Sequence, residues 1–238
     1  MHITPFHIKI ATLFPEMFPG HLGHALAGKA LEKGLWSYET FNPRAFAEDN
    51  HKTVDDTPFG GGAGMVMKAD VLSKALEAHK PLGRFIYMSP RGKLLTQDLA
   101  QELARENTIT ILCGRYEGVD QRLLEAYNAE EISVGDYVLS GGEAAAMTVM
   151  DACIRLLPGV LGNTETHDEE SFINGLLEYP HYTRPASWTS PDGVTRDVPD
   201  ILSSGHHAKI NDWRREEAEK ITKDRRPDLW AMHSRKQK

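Results

Sequence analysis

The 238-residue sequence predicts an α/β fold with a mainly parallel sheet. Short runs rich in β-branched and aromatic residues alternate with runs whose apolar residues recur at helical spacing. Parallel strands require long crossover connections, so this alternation of strands and helices is typical of a layered α/β fold. The apolar fraction of 40% and the charged fraction of 26% are ordinary for a globular chain and agree with this interpretation.

The predicted strands are short and are bounded by glycine, proline or polar residues. In chain order they are His7–Phe14, Trp36–Phe41, Arg84–Met88, Thr108–Leu112 and Glu131–Leu139. The predicted helices lie between the strands and carry apolar residues three or four positions apart. In chain order they are Met17–Lys33, Lys68–His79, Thr96–Asn107 with Thr96 as its N-cap, Gln121–Tyr127, and Gly142–Leu157, which Pro158 ends.

The composition changes after Pro158 and predicts a second, smaller domain. We expect an α/β body over residues 1–161, a polar linker over residues 162–172, and a small helical C-terminal domain over residues 173–238. Within that domain the proline-rich stretch Pro180–Pro199 contains no predicted strand, and Gly205–Thr222 is predicted to form a charged helix.

The charge distribution separates the end of the chain from the rest. The net charge of −7 on its own argues against a nucleic-acid partner. Residues 205–238, however, hold 10 Lys and Arg against 6 Asp and Glu, while the other residues hold 17 against 28. A basic tail on an acidic body is typical of contact with a polyanion. A solvated helix without a partner explains the same charges equally well.

The sequence also predicts a cytoplasmic protein with no membrane partner. No apolar run approaches the roughly 20 residues that span a bilayer. The first residues lack the basic and apolar regions of a signal peptide. The two cysteines, Cys113 and Cys153, have no metal-type spacing, and we expect both to be buried free thiols in a reducing compartment.

Two glycine-containing segments, Cys113–Gly118 and Val134–Glu143, each follow a predicted strand. Glycine lets the main chain approach a ligand closely, so these strand exits predict a small-molecule pocket built from main-chain groups. The first segment lacks the middle glycine of a dinucleotide fingerprint. A third segment, Gly60–Gly64, lacks the Lys-Ser/Thr of a phosphate-binding P-loop. It is either a mobile lid, anchored by Phe59 and Met65, or a flexible surface loop.

Two charged side chains are candidates for acid–base chemistry. Glu170 ends the acidic run Asp168–Glu170, which is either solvated or holds a general base whose direction Phe172 fixes. Arg155 lies near the end of the last helix of the body, where it forms a surface ion pair or stabilises developing negative charge.

The segment His181–Pro185 carries two ring donors, an aromatic ring and a guanidinium group. Such groups stack on unpaired bases or hold phosphate, although a proline-bounded turn explains them too. The adjacent His206 and His207 point about 100° apart on a helix, which favours a structural or RNA-facing role over a metal site.

Seven segments in order resemble the bacterial tRNA (guanine-N1)-methyltransferase family, TrmD, one of the knotted SPOUT methyltransferases. Together they extend from residue 59 to residue 229, which makes the resemblance specific. They are Phe59–Met65, Ser89–Gly92, Cys113–Gly118, Val134–Glu143, Tyr179–Pro185, Ser204–Arg214 and Arg225–Leu229.

The resemblance implies a deep trefoil knot in the body, an exception to the rule that chains avoid threading. It implies a homodimer whose active site combines one subunit's knot with the other's C-terminal domain. The implied partner is tRNA rather than DNA, methylated at N1 of the guanosine immediately 3′ of the anticodon. The implied methyl donor is S-adenosylmethionine, bound in a bent shape by the knot loops.

The resemblance assigns residues to both ligands. For the cofactor they are Tyr87, Ser89, Pro90, Gly114, Tyr116, Glu117, Gly118, Val134, Gly135, Asp136, Tyr137, Val138, Leu139, Gly141 and Gly142. For the RNA they are His181, Tyr182, Arg184, His207, Arg214 and Arg215.

Methylation at guanine N1 requires a general base near N1 and a cation near O6. The family's base is an aspartate before Ser-Phe, and Glu170 takes that position here, a departure that adds one methylene group. Arg155 resembles the family arginine at O6, and Glu117 is implied to orient Arg155 or the positive end of the cofactor. Family members depend on magnesium (Mg2+), but the sequence contains no dedicated ligand set for a metal.

Two other functions stay open. One is a different SPOUT-type RNA methyltransferase, such as one that acts on ribose 2′-hydroxyls, and the other is a non-catalytic RNA-binding protein of the same fold. The second alternative predicts no affinity for S-adenosylmethionine. A Rossmann-type oxidoreductase is disfavoured, because the glycine fingerprint of its cofactor site is absent.

Overall fold

The computed structural model describes residues 5–161 and 170–236. The chain divides into two compact units, residues 1–162 and 163–238. Residues 162–169 of the predicted linker lie outside the described part, so the linker stays a prediction. None of the described helices is long and apolar enough to cross a membrane.

A five-stranded parallel sheet forms the centre of the first unit. The strands of this unit are β1 (Phe6–Ala11), β2 (Trp36–Phe41), β3 (Asp55–Asp56), β4 (Val66–Met67), β5 (Arg84–Leu94), β6 (Thr108–Leu112) and β7 (Glu130–Ser133). The sheet order is β2-β1-β6-β5-β7, and each neighbouring pair is parallel. The short strands β3 and β4 form a separate antiparallel pair. The predicted α/β class with a mainly parallel sheet is confirmed.

Helices cover both faces of this sheet. They are α1 (Ala25–Glu32), α2 (Ala69–Ala78), α3 (Gln97–Ala104), α4 (Gln121–Ala126) and α5 (Glu143–Ile154). Alternate residues of β5 belong to different core clusters: Ile86 and Met88 pack with α3 and α5, whereas Phe85 and Tyr87 pack with α2 and α4. Burial on both faces explains why the central strands are almost continuously apolar. Thr96 caps α3 as predicted, accepting a hydrogen bond from the Leu99 N–H.

Several predicted elements of the first unit have the wrong bounds. The strand predicted to end at Phe14 ends at Ala11, the strand predicted to end at Met88 continues to Leu94, and the helix predicted to end at Asn107 ends at Ala104. The helix predicted over Met17–Lys33 begins only at Ala25, because the chain before it forms 3-10 turns around Pro19 and Gly20, whose φ is +56°. The strand predicted over Glu131–Leu139 ends at Ser133, and residues 134–142 form a loop that leads into α5.

The second unit combines short helices with a β-hairpin. Its elements are the antiparallel strands β8 (Ser187–Thr189) and β9 (Thr195–Asp197), followed by α6 (Asp200–Ser203), α7 (His207–Arg225) and α8 (Pro227–Lys236). The charged helix predicted over Gly205–Thr222 is present as α7, which continues to Arg225. The prediction that Pro180–Pro199 contains no strand is wrong, because β8 and β9 lie within it.

Candidate active site

A cleft of about 210 Å³ lies in the first unit beyond the ends of β6 and β7, beside the part of β5 that follows its pairing with β6. Ligands of open parallel sheets bind beyond the carboxyl ends of the strands, which is where this cleft opens. The predicted cofactor residues that line it are Tyr87, Ser89, Pro90, Gly114, Tyr116, Glu117, Gly118, Val134, Gly135, Tyr137, Val138, Leu139, Gly141 and Gly142. Asp136 is not among the lining residues.

Six lining residues were not predicted from the sequence. They are Met88, Arg115, Ile132, Ser133, Ser140 and Ala145. All but Ala145 lie near the ends of predicted strands or in the segments that follow those strands. Their position next to predicted cofactor residues was the only signal for them in the sequence. Ala145 belongs to the first turn of α5, and nothing in its local sequence indicates a cleft.

Two glycines of the cleft make room for the protein's own side chains. A Cβ on Gly114 would lie 2.8 Å from the Tyr87 ring carbon Cε2, and a Cβ on Gly141 would overlap Nε of Arg115. Tyr87 is buried, and this burial raises the pKa of its hydroxyl group. The sequence interpretation linked these glycines to a ligand. The structure adds a second requirement, close packing of Tyr87 and Arg115.

Main-chain hydrogen bonds connect the cleft segments. The Gly142 N–H donates to the Gly114 carbonyl at 2.9 Å, which joins the two strand exits. The Glu117 N–H donates to the Met65 carbonyl at 2.9 Å, so the end of the Gly60–Gly64 loop is held against the first exit. Phe59 is fully exposed and does not pack as the anchor that the sequence predicted.

Three further residues singled out in the first unit, Arg155, Cys113 and Cys153, are not among the lining residues. Arg155 is the C-cap residue after α5. Its N–H donates to the Asp151 carbonyl at 3.1 Å, and its side chain is half-buried. Cys113 and Cys153 are buried free thiols, as expected. Burial raises the pKa of Cys153 to about 12 and that of Cys113 well above its ordinary value.

Glu170 lies in a separate cleft of about 230 Å³ within the second unit. The lining residues are Glu170, Asn174, Leu176, Leu177, Glu178, Tyr179, Asn211, Arg214, Arg215 and Ala218. The structure therefore brings the predicted base together with two predicted RNA-binding arginines. The guanidinium carbon of Arg214 lies 4.8 Å from the centre of the Tyr179 ring, a cation–π arrangement that orients both side chains.

The segment that carries Glu170 is attached to α7 by buried hydrogen bonds. The Leu177 N–H donates to Oγ1 of Thr222 at 2.8 Å, and that hydroxyl donates to the Ala218 carbonyl at 2.6 Å. The Glu178 N–H donates to Oγ of Ser171 at 3.0 Å. Phe172 is 48% exposed within the chain, so the anchors of this segment are polar and Phe172 is not the anchor that the sequence predicted.

Replacing Thr222 with valine is expected to loosen this segment. The substitution keeps the shape but leaves the half-buried Leu177 N–H without its acceptor, which costs about 1 kcal/mol. Hydrogen exchange at the Leu177 amide should accelerate by the corresponding factor, while Thr222→Ser keeps wild-type protection. Thr148→Val is the matched control, because the Thr148 hydroxyl also bonds the carbonyl four residues earlier but is exposed. Unchanged exchange in Thr222→Val would contradict this account.

A neighbouring cleft of about 320 Å³ contains most of the predicted RNA-binding residues. Its lining residues are Tyr179, Pro180, His181, Tyr182, Leu202, His207, Ile210, Asn211, Trp213 and Arg214. The rings of Tyr182 and Trp213 lie 6.3 Å apart, and Nε2 of His181 lies 2.9 Å from a carboxylate oxygen of Glu178. Arg184 is in the lining of neither cleft. Trp213 was not among the predicted RNA-binding residues.

Among residues 5–161 and 170–236, no group of three or more His, Cys, Asp or Glu side chains could hold a metal ion. Of the adjacent histidines, His207 lines the cleft of about 320 Å³, while His206 directly precedes α7.

Comparison with known proteins extends over nearly the whole chain. The family described as tRNA (Guanine-1)-methyltransferase TrmD matches residues 6–232. A tRNA (guanine-N(1)-)-methyltransferase of Rhodospirillum rubrum is 60% identical over 225 residues, covering 94% of this chain and 92% of the relative. The enzyme of the same name from Brucella ovis is 56% identical over 228 residues, covering 96% and 92%.

Proposed function

Because the chain belongs to the tRNA (guanine-N1)-methyltransferase family, TrmD, we propose that it methylates N1 of guanosine 37 in tRNA, with S-adenosylmethionine as the methyl donor. The observation that carries this proposal is the glycine-rich cleft at the strand ends, which gathers all but one of the predicted cofactor residues. We also propose that the enzyme works in the cytoplasm, as expected for a protein that acts on tRNA.

The cleft fits the chemistry of this cofactor. Apolar side chains such as Ile132, Val134 and Leu139 offer flat surfaces to an adenine ring, and the glycine segments expose main-chain groups to its edge. Glu117 supplies a carboxylate to the lining, suited to the cofactor's positive charge. When bound, S-adenosylmethionine supplies a methyl group on a sulfonium, an already activated leaving group.

Guanine N1 carries a proton at neutral pH and becomes nucleophilic only when that proton is removed. We assign this proton to the carboxylate of Glu170, which shares its cleft with the amide of Asn211 and the guanidinium group of Arg214. A carboxylate accepts hydrogen bonds from the guanine edge. Nearby cations stabilise the negative charge that guanine carries after it loses the N1 proton. Arg214, Arg215 and the aromatic cleft beside them would hold the surrounding RNA, with stacking and phosphate contacts.

As N1 loses its proton, negative charge develops at O6. We assign its stabilisation to Arg155, a fixed cation that costs little reorganisation. Any magnesium ion would be held by tRNA phosphates together with scattered carboxylates.

We propose that the enzyme acts as a homodimer, so that the cofactor cleft of one protomer and Glu170 of the partner subunit act on one guanine. The proposal follows the family.

We propose that the first unit contains the trefoil knot of the family, and the family is the support for this proposal. β5 is irregular opposite β7: Met88 and Lys93 both pair with Ile132, so the residues between them form a bulge. The Leu95 N–H donates to the Ser133 carbonyl at 2.8 Å.

Methylation of an unmodified tRNA transcript tests the proposed activity. We expect transfer of a labelled methyl group from S-adenosylmethionine to a transcript with guanosine 3′ of the anticodon. A matched transcript with adenosine there should accept none, because adenosine has no N1 proton and no O6. Methylation of the adenosine transcript would overturn the substrate assignment, and absence of cofactor binding by calorimetry would favour a non-catalytic RNA-binding protein.

A further inference from the structure

We propose that Arg115 and Glu143 are positioning residues that hold the two cofactor loops at the spacing required for S-adenosylmethionine. The loops are residues 113–118 and residues 134–142. This inference rests on the proposed function, because it concerns the same cleft.

Glu143 is a buried carboxylate with defined partners. It is the first residue of α5, is 1% exposed, and directly follows the second loop. Its oxygen Oε2 lies 2.8 Å from Nη2 of Arg115, and Oε1 accepts hydrogen bonds from Nε of Arg115 at 3.2 Å and from the Thr12 hydroxyl at 2.8 Å. Such pairing is necessary, because a charge removed from water is strongly unfavourable without compensating partners.

One side chain therefore connects both loops. Arg115 belongs to the first loop and lines the cleft. Its Nη1 donates to the Ser140 carbonyl in the second loop at 3.3 Å, while its other nitrogens reach Glu143. The guanidinium group also lies 4.4 Å from the centre of the Phe14 ring, beyond the end of β1. These contacts fix the side chain from several directions.

The second loop has a glycine at the point where the Arg115 side chain packs against it. Gly141 faces Nε of Arg115 at a distance where any Cβ would overlap it. Beside it, the Gly142 N–H bonds to the carbonyl of Gly114, so main-chain and side-chain contacts set the same spacing. The Nε–Oε1 hydrogen bond, together with the ion-pair contact of Nη2 with Oε2, adds directional precision that an apolar contact lacks.

Stability alone does not require this pair. Beyond Glu143, α5 buries Ala146, Val149, Met150 and Cys153 in the core, which holds the helix against the sheet. Apolar groups of similar size commonly replace buried ion pairs without loss of stability. We therefore attribute a different role to the Arg115–Glu143 pair: it holds the two loops in place before the ligand binds. Preorganised loops lose less conformational entropy on binding.

The test measures cofactor affinity and folding separately. We expect the double variant Arg115→Met/Glu143→Gln, which leaves no uncompensated charge, to remain folded with a thermal midpoint close to wild type. Its Kd for S-adenosylmethionine by calorimetry and its KM for the cofactor should rise about 10- to 100-fold, while kcat at saturating cofactor changes little. Arg122→Met is the matched control, because Arg122 forms an exposed pair with Asp120 just after the first loop.

A wild-type Kd in the double variant would overturn the proposal, whether or not its thermal midpoint falls. If the double variant does not fold, Arg115→Lys decides, since lysine keeps the charge but loses the planar group that donates to both Glu143 and the Ser140 carbonyl. A raised Kd in Arg115→Lys supports positioning, and a wild-type Kd rejects it. The wild-type protein is measured in parallel: if it binds no cofactor, the proposed function fails, whereas equal binding by wild type and variants rejects only the positioning role.

Discussion

The single-turnover rate of tRNA methylation is expected to fall about 10²- to 10⁴-fold when Glu170 is replaced by glutamine, the range that a lost general base produces. Glutamine keeps the size and hydrogen-bonding capacity of the side chain but cannot accept the N1 proton. Rapid-quench kinetics with prebound cofactor and tRNA measure the chemical step directly. The residual rate of Glu170→Gln should rise with pH, as hydroxide takes over the removal of the proton.

Two further variants make this experiment specific. Glu170→Asp restores the family's residue and should keep far more activity than Glu170→Gln, because it retains the carboxylate. Glu169→Gln removes the neighbouring acid and should leave the rate close to wild type. If Glu170→Gln itself methylated at a near wild-type rate, another group would have to remove the N1 proton.

The sequence predicted the bounds of two strands correctly, Trp36–Phe41 and Thr108–Leu112. Thr108–Leu112 is a buried inner strand of β-branched and apolar residues, whereas Trp36–Phe41 is an edge strand in which aromatic and β-branched residues predominate. The same signal failed after Ser133. Tyr137, Val138 and Leu139 continue an apolar run but are exposed beside the cleft, with Val138 85% exposed. Apolar residues that line a ligand cleft resemble a strand in a single sequence.

The missed hairpin has a different cause. Proline cannot donate to the hydrogen bonds of a strand and so disfavours strands in Pro180–Pro199, yet Pro191 lies in the turn between β8 and β9. The Ser190–Gly193 segment is a recognised turn sequence, with Gly193 at a φ of +80°. The Ser190 N–H donates to the Val194 carbonyl at 3.1 Å and closes the hairpin.

The candidate site was predictable to the extent that it consists of local segments. The cleft lining follows from glycine segments at strand ends, which a sequence shows directly. The contact of Thr12 with Glu143 joins residues 131 positions apart, and the Arg115 contact joins residues 28 apart. No local pattern encodes these pairings. A charged residue opening the apolar run of α5 was the sole hint that the sequence offered.

The rate of methyl transfer is also expected to fall about 10²- to 10³-fold in Arg155→Ala, with little change in the Kd for S-adenosylmethionine. The reason is that Arg155 does not line the cofactor cleft, so its proposed role is confined to the charge that develops at O6. Steady-state kcat with saturating tRNA and cofactor, together with calorimetry, separates the two quantities.

Arg105→Ala is the matched control for Arg155→Ala, because Arg105 is the C-cap residue after α3 as Arg155 is the C-cap residue after α5. It should leave both turnover and cofactor binding unchanged. Arg155→Lys should recover part of the lost rate, since it keeps the positive charge but not the planar donor geometry. If cofactor affinity fell as far as turnover in Arg155→Ala, the arginine would act through the cofactor loops. Charge stabilisation at O6 would then need another cation, with Arg214 and Arg215 in the Glu170 cleft the first to test.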